Sequence, residues 1–587
     1  MTLTPAARTG STTTPQDPPQ DPRPSYLHRG LSLLALLALF QGTAEQLRSQ
    51  ALGNRYLVTT LVLLYGAMLV LAVLTLTVRR QRDLVRVDVL VLLVALVRLA
   101  VYVAGSAGHH FKPYGDDEGP LITLAARSFA SGGHVYGMHW PGFAAQFQVG
   151  TTPLMNGGIA DSFGYPPLSV LLAAPFASWM PAWVPVAGLM SLGALVLTAV
   201  VMFRLLPAPL RPAATLMCFG FTWVFFYARN GYPIFLTLPF LAVAVHRWTR
   251  TGSGGVLGRS GVLGAVCLGF AASAHQLTWF LVPFLLAGIL LLRRGELPWR
   301  SALLVTARYA ALALGTFLLL SLPFAIRDGR AWATGLFSVL TQHASPQGLG
   351  PVDISYYLTG GSGDLGMYSA AGAALLVATF VAFLLFPQRL APALVLLPWL
   401  AFYLSTRSTE TYFVLLAPIW LTAYATCDHD DFSRAWQWRP RLLLDRRVLR
   451  AVPVLLALPA VACLLAAVLA PVPLALRISG LRTGTPAQGS PTIEQIDVSL
   501  RNVSASPLTP AFATSNNAWL DFGWTVTSGP RTLAPQQSGS YVLTRQGNPL
   551  TLNTKGSTYL RVVSDNPQTL TSTALPVKSL SVKSATP

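Results

Sequence analysis

The stretch YGDDEGPLITLAARSFASGGHVYG, residues 114–137, opens a polar segment that closes with DSFGYPPL, residues 161–168. Asp116, Asp117 and Glu118 follow directly after a long apolar run. Because a carboxylate inside hydrocarbon is costly, we expect these three acids to face water at the edge of a membrane. We interpret the stretch as the floor of an active site that the rest of the chain supports.

The composition indicates a polytopic membrane protein. The 587 residues are 52% hydrophobic and only 11% charged, against about 25% charged in soluble domains. Apolar runs recur between residues 57 and 472, and a membrane span needs about 20 apolar residues. The sequence therefore predicts an all-α transmembrane domain over residues 29–478, with about 12 or 13 transmembrane helices.

The order of apolar and basic segments predicts a topology. Residues 1–28 are rich in Thr, Pro, Gln and Asp, which is typical of a disordered tail, here on the cytoplasmic side. Arginines cluster at the ends of apolar runs, as the positive-inside rule requires of cytoplasmic edges. The long loops 108–167 and 327–367 are then extracytoplasmic, in a multi-pass protein of the plasma (inner) membrane. An odd number of spans must separate this outer loop from the next basic segment, which is predicted to be cytoplasmic. Two apolar segments lie between them, so we expect one of them, segment 168–180, to be re-entrant.

The sequence disfavours a nucleic-acid-binding protein and a protein stabilised by zinc or disulfides. The net charge of +19 is compatible with nucleic-acid binding, but no basic stripe interleaved with aromatic residues accompanies it. The four cysteines lack metal-ligand spacing and none is in a predicted outer segment, so neither zinc nor structural disulfides are expected; they are Cys218, Cys267, Cys427 and Cys463.

Residues 480–587 change character, because alternating polar and apolar residues replace the long apolar runs. Segments 492–500, 540–544 and 558–563 are predicted strands separated by turn signals. The length and pattern predict an extracytoplasmic all-β, Ig-like β-sandwich. It could serve as a spacer, as a lid over the outer loops, or as a contact for a glycan acceptor.

The acidic triplet is the first candidate for chemistry. Adjacent carboxylates repel each other, so one of them is expected to carry a raised pKa that suits a general base. The alternative is that the three acids are solvated loop residues that help to orient the topology. A single acidic cluster is too little to predict a metal site.

Several motifs then appear in a distinctive order. The acid pair at the end of an early span is followed by Ala125-Ala126-Arg127, by Gly-Gly-His-Val-Tyr at 132–136, and by Gly-Tyr-Pro-Pro-Leu at 164–168. This order resembles the first outer loop of GT-C superfamily glycosyltransferases, including family 87 and other mannosyltransferases that use polyprenyl-phosphate sugars. The likeness covers roughly residues 88–426.

The resemblance implies an inverting glycosyltransferase. Its donor is a polyprenyl-phosphate sugar, a mannose-like hexose or a pentose, and its acceptor is a glycan, glycolipid or protein of the cell envelope. An aspartate of the first outer loop deprotonates the acceptor hydroxyl, and it maps to Asp117, with Asp116 as the close competitor. No cofactor is implied besides the donor, and membrane lipids are the surrounding partners.

The substrate-binding candidates lie at the predicted outer ends of spans; they are Glu118, Tyr136, Tyr165, His275, Gln276, Arg327, Arg407 and Glu410. A donor phosphate needs positive or hydrogen-bonding groups, and His275, Gln276, Arg327 and Arg407 could supply them. The sequence departs from family 87 at 274–276, where Ala-His-Gln stands in place of a frequent Lys-Pro.

Structural explanations are available for several of these candidates. Arg407 could pair with Glu410, and Arg327 with Asp328. His275 could simply be a polar span end, and Pro166-Pro167 could fix a helix start beside Tyr165. Asn230-Gly231 resembles only part of a Gly-Gln-x-Asn element of the same enzymes.

Other functions remain open. A transporter or lipid flippase places charged groups within its spans and often shows inverted repeats. The predicted spans here are nearly free of acids, and no repeat is apparent. A third possibility is a non-catalytic scaffold whose β-sandwich binds partners.

Overall fold

A computed structural model describes residues 23–51, 54–108, 112, 114–181, 184–438, 446–487, 490–515, 520–545, 550–551 and 557–575. The chain forms two compact units. One comprises residues 1–109 and 206–222, and the other comprises residues 110–205 and 223–587. Most of the predicted disordered tail, residues 1–22, lies outside the described part.

Helices dominate the chain as far as residue 469. The first group is α1 (Tyr26–Gln46), α2 (Arg55–Thr77), α3 (Gln81–Gly108), α4 (Glu118–Ala130), α5 (Phe143–Phe147), α6 (Leu168–Ala177), α7 (Val186–Leu205) and α8 (Pro212–Phe219). The second group is α9 (Thr222–Arg229), α10 (Ile234–Val245), α11 (Arg259–Ala274), α12 (Leu277–Glu296), α13 (Trp299–Arg327), α14 (Gly329–Thr341), α15 (Val352–Tyr357) and α16 (Gly366–Leu385). The last group is α17 (Pro387–Leu390), α18 (Ala401–Leu404), α19 (Thr411–Val414), α20 (Ala417–Ala425), α21 (His429–Ser433) and α22 (Arg446–Leu469).

Eight described helices are long and apolar enough to cross a membrane: α1, α2, α3, α7, α12, α13, α16 and α22. A ninth candidate is the pair α9 and α10, which is bent by 111° at residues 230–233. The expected 12 or 13 spans included short apolar runs. One of these forms α6, whose 10 residues reach only about 15 Å at a rise of 1.5 Å per residue, so it cannot cross about 30 Å of hydrocarbon alone.

The first unit contains buried charges. Within α3, Asp88 and Arg98 are 1% and 0% exposed. The Asp88 carboxylate lies 2.6 Å from His28 Nε2 and accepts a hydrogen bond from the Ser32 hydroxyl at 2.7 Å. Arg98 donates to the Phe219 carbonyl at 2.8 Å. The candidate span α3 therefore carries ionisable groups, each with polar partners inside the unit.

In the second unit, a hydrophobic core supports the start of the first loop. Helix α4 buries the residues of one face, namely Leu121, Ile122, Ala125 and Ala126. They share a core with residues of α6 and α7, among them Val170 and Ala187. The small side chains let the three helices approach closely, and the N-terminus of α4 is thereby held in place.

The C-terminal region is β-rich, and the three predicted strands are confirmed within β5, β8 and β10. The strands are β1 (Gln347–Gly348), β2 (Gly361–Ser362), β3 (Arg407–Ser408), β4 (Leu474–Ala487), β5 (Ser490–Asn502), β6 (Ala511–Ser515), β7 (Trp524–Ser528), β8 (Ser538–Arg545), β9 (Leu550–Thr551), β10 (Tyr559–Ser564) and β11 (Thr569–Ala574). One antiparallel sheet has the order β4-β5-β8-β7, with β9 beside β5, and another has the order β2-β11-β10-β6. Strands of both sheets contribute to one buried core.

The boundary between helix and sheet lies slightly before the expected position. Helix α22 ends at Leu469 and β4 begins at Leu474, whereas the sequence placed the change at residues 478–480. Strand β2 belongs to the 327–367 loop, yet it pairs with β11. The β region is therefore joined to the helical part through a shared sheet.

Candidate functional site

The acidic triplet lies at the N-terminus of α4. Asp117 is the N-cap residue and Glu118 is the first residue of the helix. Carboxylates are favoured there because the helix dipole presents its positive end. Pro120 also fits the first turn, since its missing N–H would have had no partner within the helix. The local sequence thus explains why a helix begins directly after the acids.

The two aspartates face different surroundings. Asp117 is 3% exposed, and its Oδ2 accepts a hydrogen bond from the Thr152 N–H. The Asp117 N–H donates to Asp116 Oδ1 at 3.0 Å. The other Asp116 oxygen accepts from the Tyr232 hydroxyl. Asp116 is therefore engaged by the segment between α9 and α10, while Asp117 is held by the first loop itself.

Burial changes the acidity of this group. Burial, with a further contribution from the Asp116 charge, raises the pKa of Asp117 to about 6. Burial and the charges of Asp116 and Asp117 also raise the pKa of Glu118 well above its usual value. Asp117 can therefore exchange a proton near neutral pH.

The same three acids could also hold a divalent cation. One carboxylate oxygen from each of Asp116, Asp117 and Glu118 lies within 4.8 Å of the others. Hard cations such as Mg²⁺ and Ca²⁺ prefer oxygen ligands of this kind. Protonation of one of the three acids is an alternative way to relieve the repulsion between the carboxylates.

A cavity of about 380 Å³ opens beside the acids. Its walls come from the first loop, from the 327–367 loop, from the first turns of α12 and α16, and from the segment around α18. Six of the predicted site residues line it: Asp117, Glu118, Tyr165, His275, Gln276 and Arg407. The structure therefore brings together predicted residues from three distant parts of the chain: the first loop, residues 275–276 and residue 407.

Arg407 does not pair with its expected partner, Glu410. Glu410 accepts a hydrogen bond from the Tyr227 hydroxyl at 2.8 Å, and among the described residues no ion pair joins it to Arg407. The Arg407 Nε is buried and has no hydrogen-bond partner in the part of the chain that the structure describes. Its backbone is fixed by the pairing of β3 with β1, which places Arg407 opposite Gln347. The cavity wall therefore holds a guanidinium that has no counterion among the described residues.

Four of the predicted residues do not line the cavity: Asp116, Tyr136, Arg327 and Glu410. Arg327 is exposed, donates to the Gly133 carbonyl at 2.9 Å and lies 4.9 Å from the centre of the Phe129 ring. It therefore contacts the end of α4 and the loop that follows it, and does not face the cavity. Tyr136 donates to the Tyr165 carbonyl at 2.8 Å, so its contribution is to position Tyr165.

Tyr165, His275 and Gln276 form one wall. The Gln276 amide donates to the Gly164 carbonyl at 2.6 Å, and the rings of Tyr165 and His275 lie 5.3 Å apart. His275 Nδ1 accepts from the Leu277 N–H at 3.1 Å, which leaves Nε2 to carry the proton of the neutral ring. Burial lowers the pKa of His275 to about 3. The ring is therefore neutral and can donate one hydrogen bond from Nε2.

The segment that connects α9 and α10 contacts the start of the acidic triplet, at Gly115 and Asp116. Asn230 Oδ1 accepts from the Gly115 N–H at 3.0 Å, and Tyr232 bonds to Asp116. Gly231 has φ of +83°, and a Cβ there would lie 2.9 Å from the Ala187 Cβ and 3.0 Å from the Gly119 Cα. Only glycine combines this conformation with so close an approach.

Some residues of the site were not predicted. Thr152, Tyr232, His343 and Gln568 belong to this group. An Asn-Gly-Tyr-Pro turn between two apolar runs is a recognisable break signal and could have indicated Tyr232. The other three carry no local signal, because their roles depend on contacts between distant segments.

The cavity combines two chemical capabilities. A carboxylate that titrates near neutral pH can accept a proton from a hydroxyl group, and a guanidinium with free donors can bind an anionic oxygen. Comparison of the chain with protein-family models, with curated proteins and with solved structures found no match.

Proposed function

We propose that this chain is a membrane glycosyltransferase of the GT-C type, related to family 87. It transfers a mannose-like hexose or a pentose from a polyprenyl-phosphate donor to a cell-envelope acceptor on the extracytoplasmic side, with inversion of the anomeric centre. The observation that carries the proposal is that Asp117 lines the same cavity as Arg407, which has no counterion among the described residues.

Each of these residues has a defined role in the proposed reaction. Asp117 takes the proton from the acceptor hydroxyl, whose oxygen then attacks the anomeric carbon of the donor sugar. The bond between that carbon and the phosphate oxygen breaks, and the phosphate retains the electron pair. Arg407 and the Nε2–H of His275 stabilise the charge that develops on the leaving phosphate. A single displacement of this kind inverts the anomeric centre.

The apolar part of the cavity suits the lipid portion of the donor. Ser369, Ala373 and Leu376 line it along one face of α16, and α16 is a candidate membrane span. Seven residues of helix correspond to about 10 Å. The Phe280 ring, from the first turn of α12, adds apolar surface to this wall. A polyprenyl chain could therefore leave the cavity along α16 towards the bilayer.

A transporter or lipid flippase is the second candidate. The observation that favours it is the buried pair of ionisable residues in α3, Asp88 and Arg98, since ionisable residues within spans often mark transport pathways. Neither residue lines the cavity. A flippase would move the intact lipid without breaking the bond between sugar and phosphate.

The proposal can be tested with the purified full chain in lipid nanodiscs. The protein would be incubated with radiolabelled polyprenyl-phosphate mannose, glucose or arabinose and with short mannose, glucose or arabinose oligosaccharides as acceptors. We expect one donor to label an acceptor, and NMR of the product to reveal an inverted anomeric linkage. Movement of intact lipid across the bilayer without any sugar release would instead support the flippase.

The transfer rate should depend on the ionisation of Asp117. Since burial raises the pKa of this carboxyl to about 6, and the base must be ionised, kcat/KM should rise with pH and reach half its maximum near pH 6. Initial rates between about pH 4.5 and 8.5 would measure the profile. Asp116→Asn removes a charge that raises this pKa, so the midpoint should move to lower pH. A profile that is flat across this range would contradict the assignment.

A further inference from the structure

The β region supplies part of the cavity wall. Gln568 lies in the turn between β10 and β11, and it lines the cavity together with His343 of the 327–367 loop. The Gln568 side chain is half-buried. The cavity that contains Asp117 and Arg407 is therefore incomplete without the C-terminal region.

The turn that carries Gln568 is attached to the helical part by polar contacts. His343 Nδ1 lies 2.8 Å from Asp565 Oδ1, and the Leu365 N–H donates to the Gln568 carbonyl at 2.9 Å. Strand β11 continues from this turn and pairs with β2, which places Leu570 opposite Ser362. The position of Gln568 is thus defined on both sides of the turn.

A buried cation anchors the same sheet. Arg561 of β10 is 0% exposed. Its guanidinium lies 4.2 Å from the ring centre of Tyr356, 5.3 Å from that of Tyr357 and 5.2 Å from that of Tyr559. It also donates to the Tyr356 carbonyl at 3.1 Å. Cation–π contacts of a desolvated arginine are stabilising, so the sheet is fixed against α15 and is not a freely moving spacer.

Hydrophobic contacts extend this attachment. Met155 of the first loop, Tyr356 of α15 and Tyr368 of α16 share one buried core with Val563 and Leu570 of the β region. The first loop, the 327–367 loop and the β region therefore form one packed body around the cavity. A change in the turn at 565–568 would act on the cavity directly.

We propose that Gln568 and His343 form the surface that selects the acceptor, and that the acceptor is a neutral, polyhydroxylated glycan. This inference rests on the proposed glycosyl transfer. The Gln568 carboxamide makes no hydrogen bond to another residue in the described part of the chain, which leaves two N–H donors and a carbonyl acceptor for a ligand. Sugar hydroxyls, which both donate and accept, match such a group.

The distribution of polar and apolar residues around the cavity assigns the wall that contains Gln568 and His343 to the acceptor. The walls from α12 and α16 are mainly apolar and suit the hydrocarbon chain of the donor. The wall from the loops and the β region carries polar side chains, including Thr152, Gln342, His343 and Gln568. A water-soluble glycan would therefore enter on the polar side, opposite the lipid, and reach Asp117 from there.

The kinetic test is a comparison of Gln568→Ala with wild type in nanodiscs. We expect the KM for the acceptor oligosaccharide to rise roughly tenfold, the effect of about one lost hydrogen-bonding group, while the KM for the donor lipid stays unchanged. Gln568→Trp should have a larger effect, because the indole would occupy space in the cavity. Gln146→Ala replaces an exposed glutamine of the first loop that does not line the cavity, and it should leave both constants unchanged.

A binding measurement separates this inference from the proposed reaction. Short mannose, glucose and arabinose oligosaccharides would be titrated into the full chain without donor. We expect one of them to bind wild type and to bind Gln568→Ala more weakly. Equal affinity for both proteins, or no binding of any probe to wild type, would overturn the inference even if Asp117-dependent transfer is present. Glycan binding that depends on Gln568, with no transfer from any donor, would overturn the proposed reaction alone.

Discussion

Asp117→Asn should lower the rate of sugar transfer by a factor of about 10² to 10⁴, the usual contribution of a general base. The substituted amide has almost the same shape, and its oxygen can still accept the hydrogen bond from the Thr152 N–H. It cannot accept a proton from the acceptor hydroxyl at neutral pH. Donor binding should not weaken, because the asparagine removes a negative charge that would repel the donor phosphate and no donor contact is assigned to Asp117.

The same substitution should make the folded protein more stable at pH 8. Burial raises the pKa of Asp117 from 3.8 to about 6. The ionised form is thus disfavoured in the folded state, and stability is lost as the pH rises through about 6. A difference of about 2 pKa units corresponds to about 3 kcal/mol. Thermal unfolding of wild type and variant in the same detergent should differ at pH 8 and converge near pH 4.

Two further variants test the specificity of this result. Asp116→Asn should retain most of the activity, because Asp116 bonds to Tyr232 and does not line the cavity. Asp364→Asn changes an exposed carboxylate of the 327–367 loop and should match wild type. If Asp116→Asn abolishes transfer and Asp117→Asn spares it, the roles of the two aspartates are reversed. Full activity in both would exclude the acidic triplet as the source of the base.

The acidic triplet and its helix could be read from the sequence because their signals are local. The carboxylates, Pro120 and the apolar face of α4 all lie within residues 116–130. The raised pKa of one aspartate also follows from neighbouring charges and an apolar setting. Which aspartate faces the cavity could not be read, because it depends on Tyr232 and Thr152, which approach from other segments.

The sequence predicts about 12 or 13 spans, whereas eight or nine described helices are long and apolar enough to cross a membrane, and this difference has a physical reason. Hydropathy measures how much apolar sequence is present but does not reveal where a helix breaks. The apolar run of 213–226 is divided between α8 and α9, and the run that follows is separated by the turn at Asn230 and Gly231. This turn is the element that holds Gly115 and Asp116, so the broken helix pair is part of the site.

In the β region, the long strands could be predicted from the sequence but a short and important one could not. Its long strands alternate polar and apolar residues and could be predicted, whereas β2 has only two residues, Gly361 and Ser362, which is too short for any pattern. Its pairing with β11 nonetheless attaches the β region to the helical part. The contribution of Gln568 to the cavity follows from this attachment and could not be inferred from residues 565–568 alone.

Arg407→Ala should lower kcat/KM for the polyprenyl-phosphate donor by about 10² to 10³, the effect of removing a group that stabilises charge in the transition state. The reason is that the guanidinium lies in the cavity wall without a protein counterion among the described residues. Arg407→Lys should recover part of the loss, since it keeps the charge but not the planar pair of donors. Donor binding can be measured separately with a fluorescent polyprenyl phosphate, and acceptor binding should be unchanged.

Arg327→Ala is the matched control for Arg407→Ala, because the sequence analysis predicted that both arginines could bind the donor phosphate. Arg327 bonds to the Gly133 carbonyl outside the cavity, so its loss should leave donor affinity within about twofold of wild type, as is usual for exposed contacts. Arg407→Ala should not lower the thermal stability, since it removes a half-buried charge that no described residue balances. Equal losses of donor affinity in the two variants would exclude a specific phosphate contact at Arg407. A large fall in stability for Arg407→Ala alone would identify Arg407 as a structural residue, and the cavity would then lack its proposed cation.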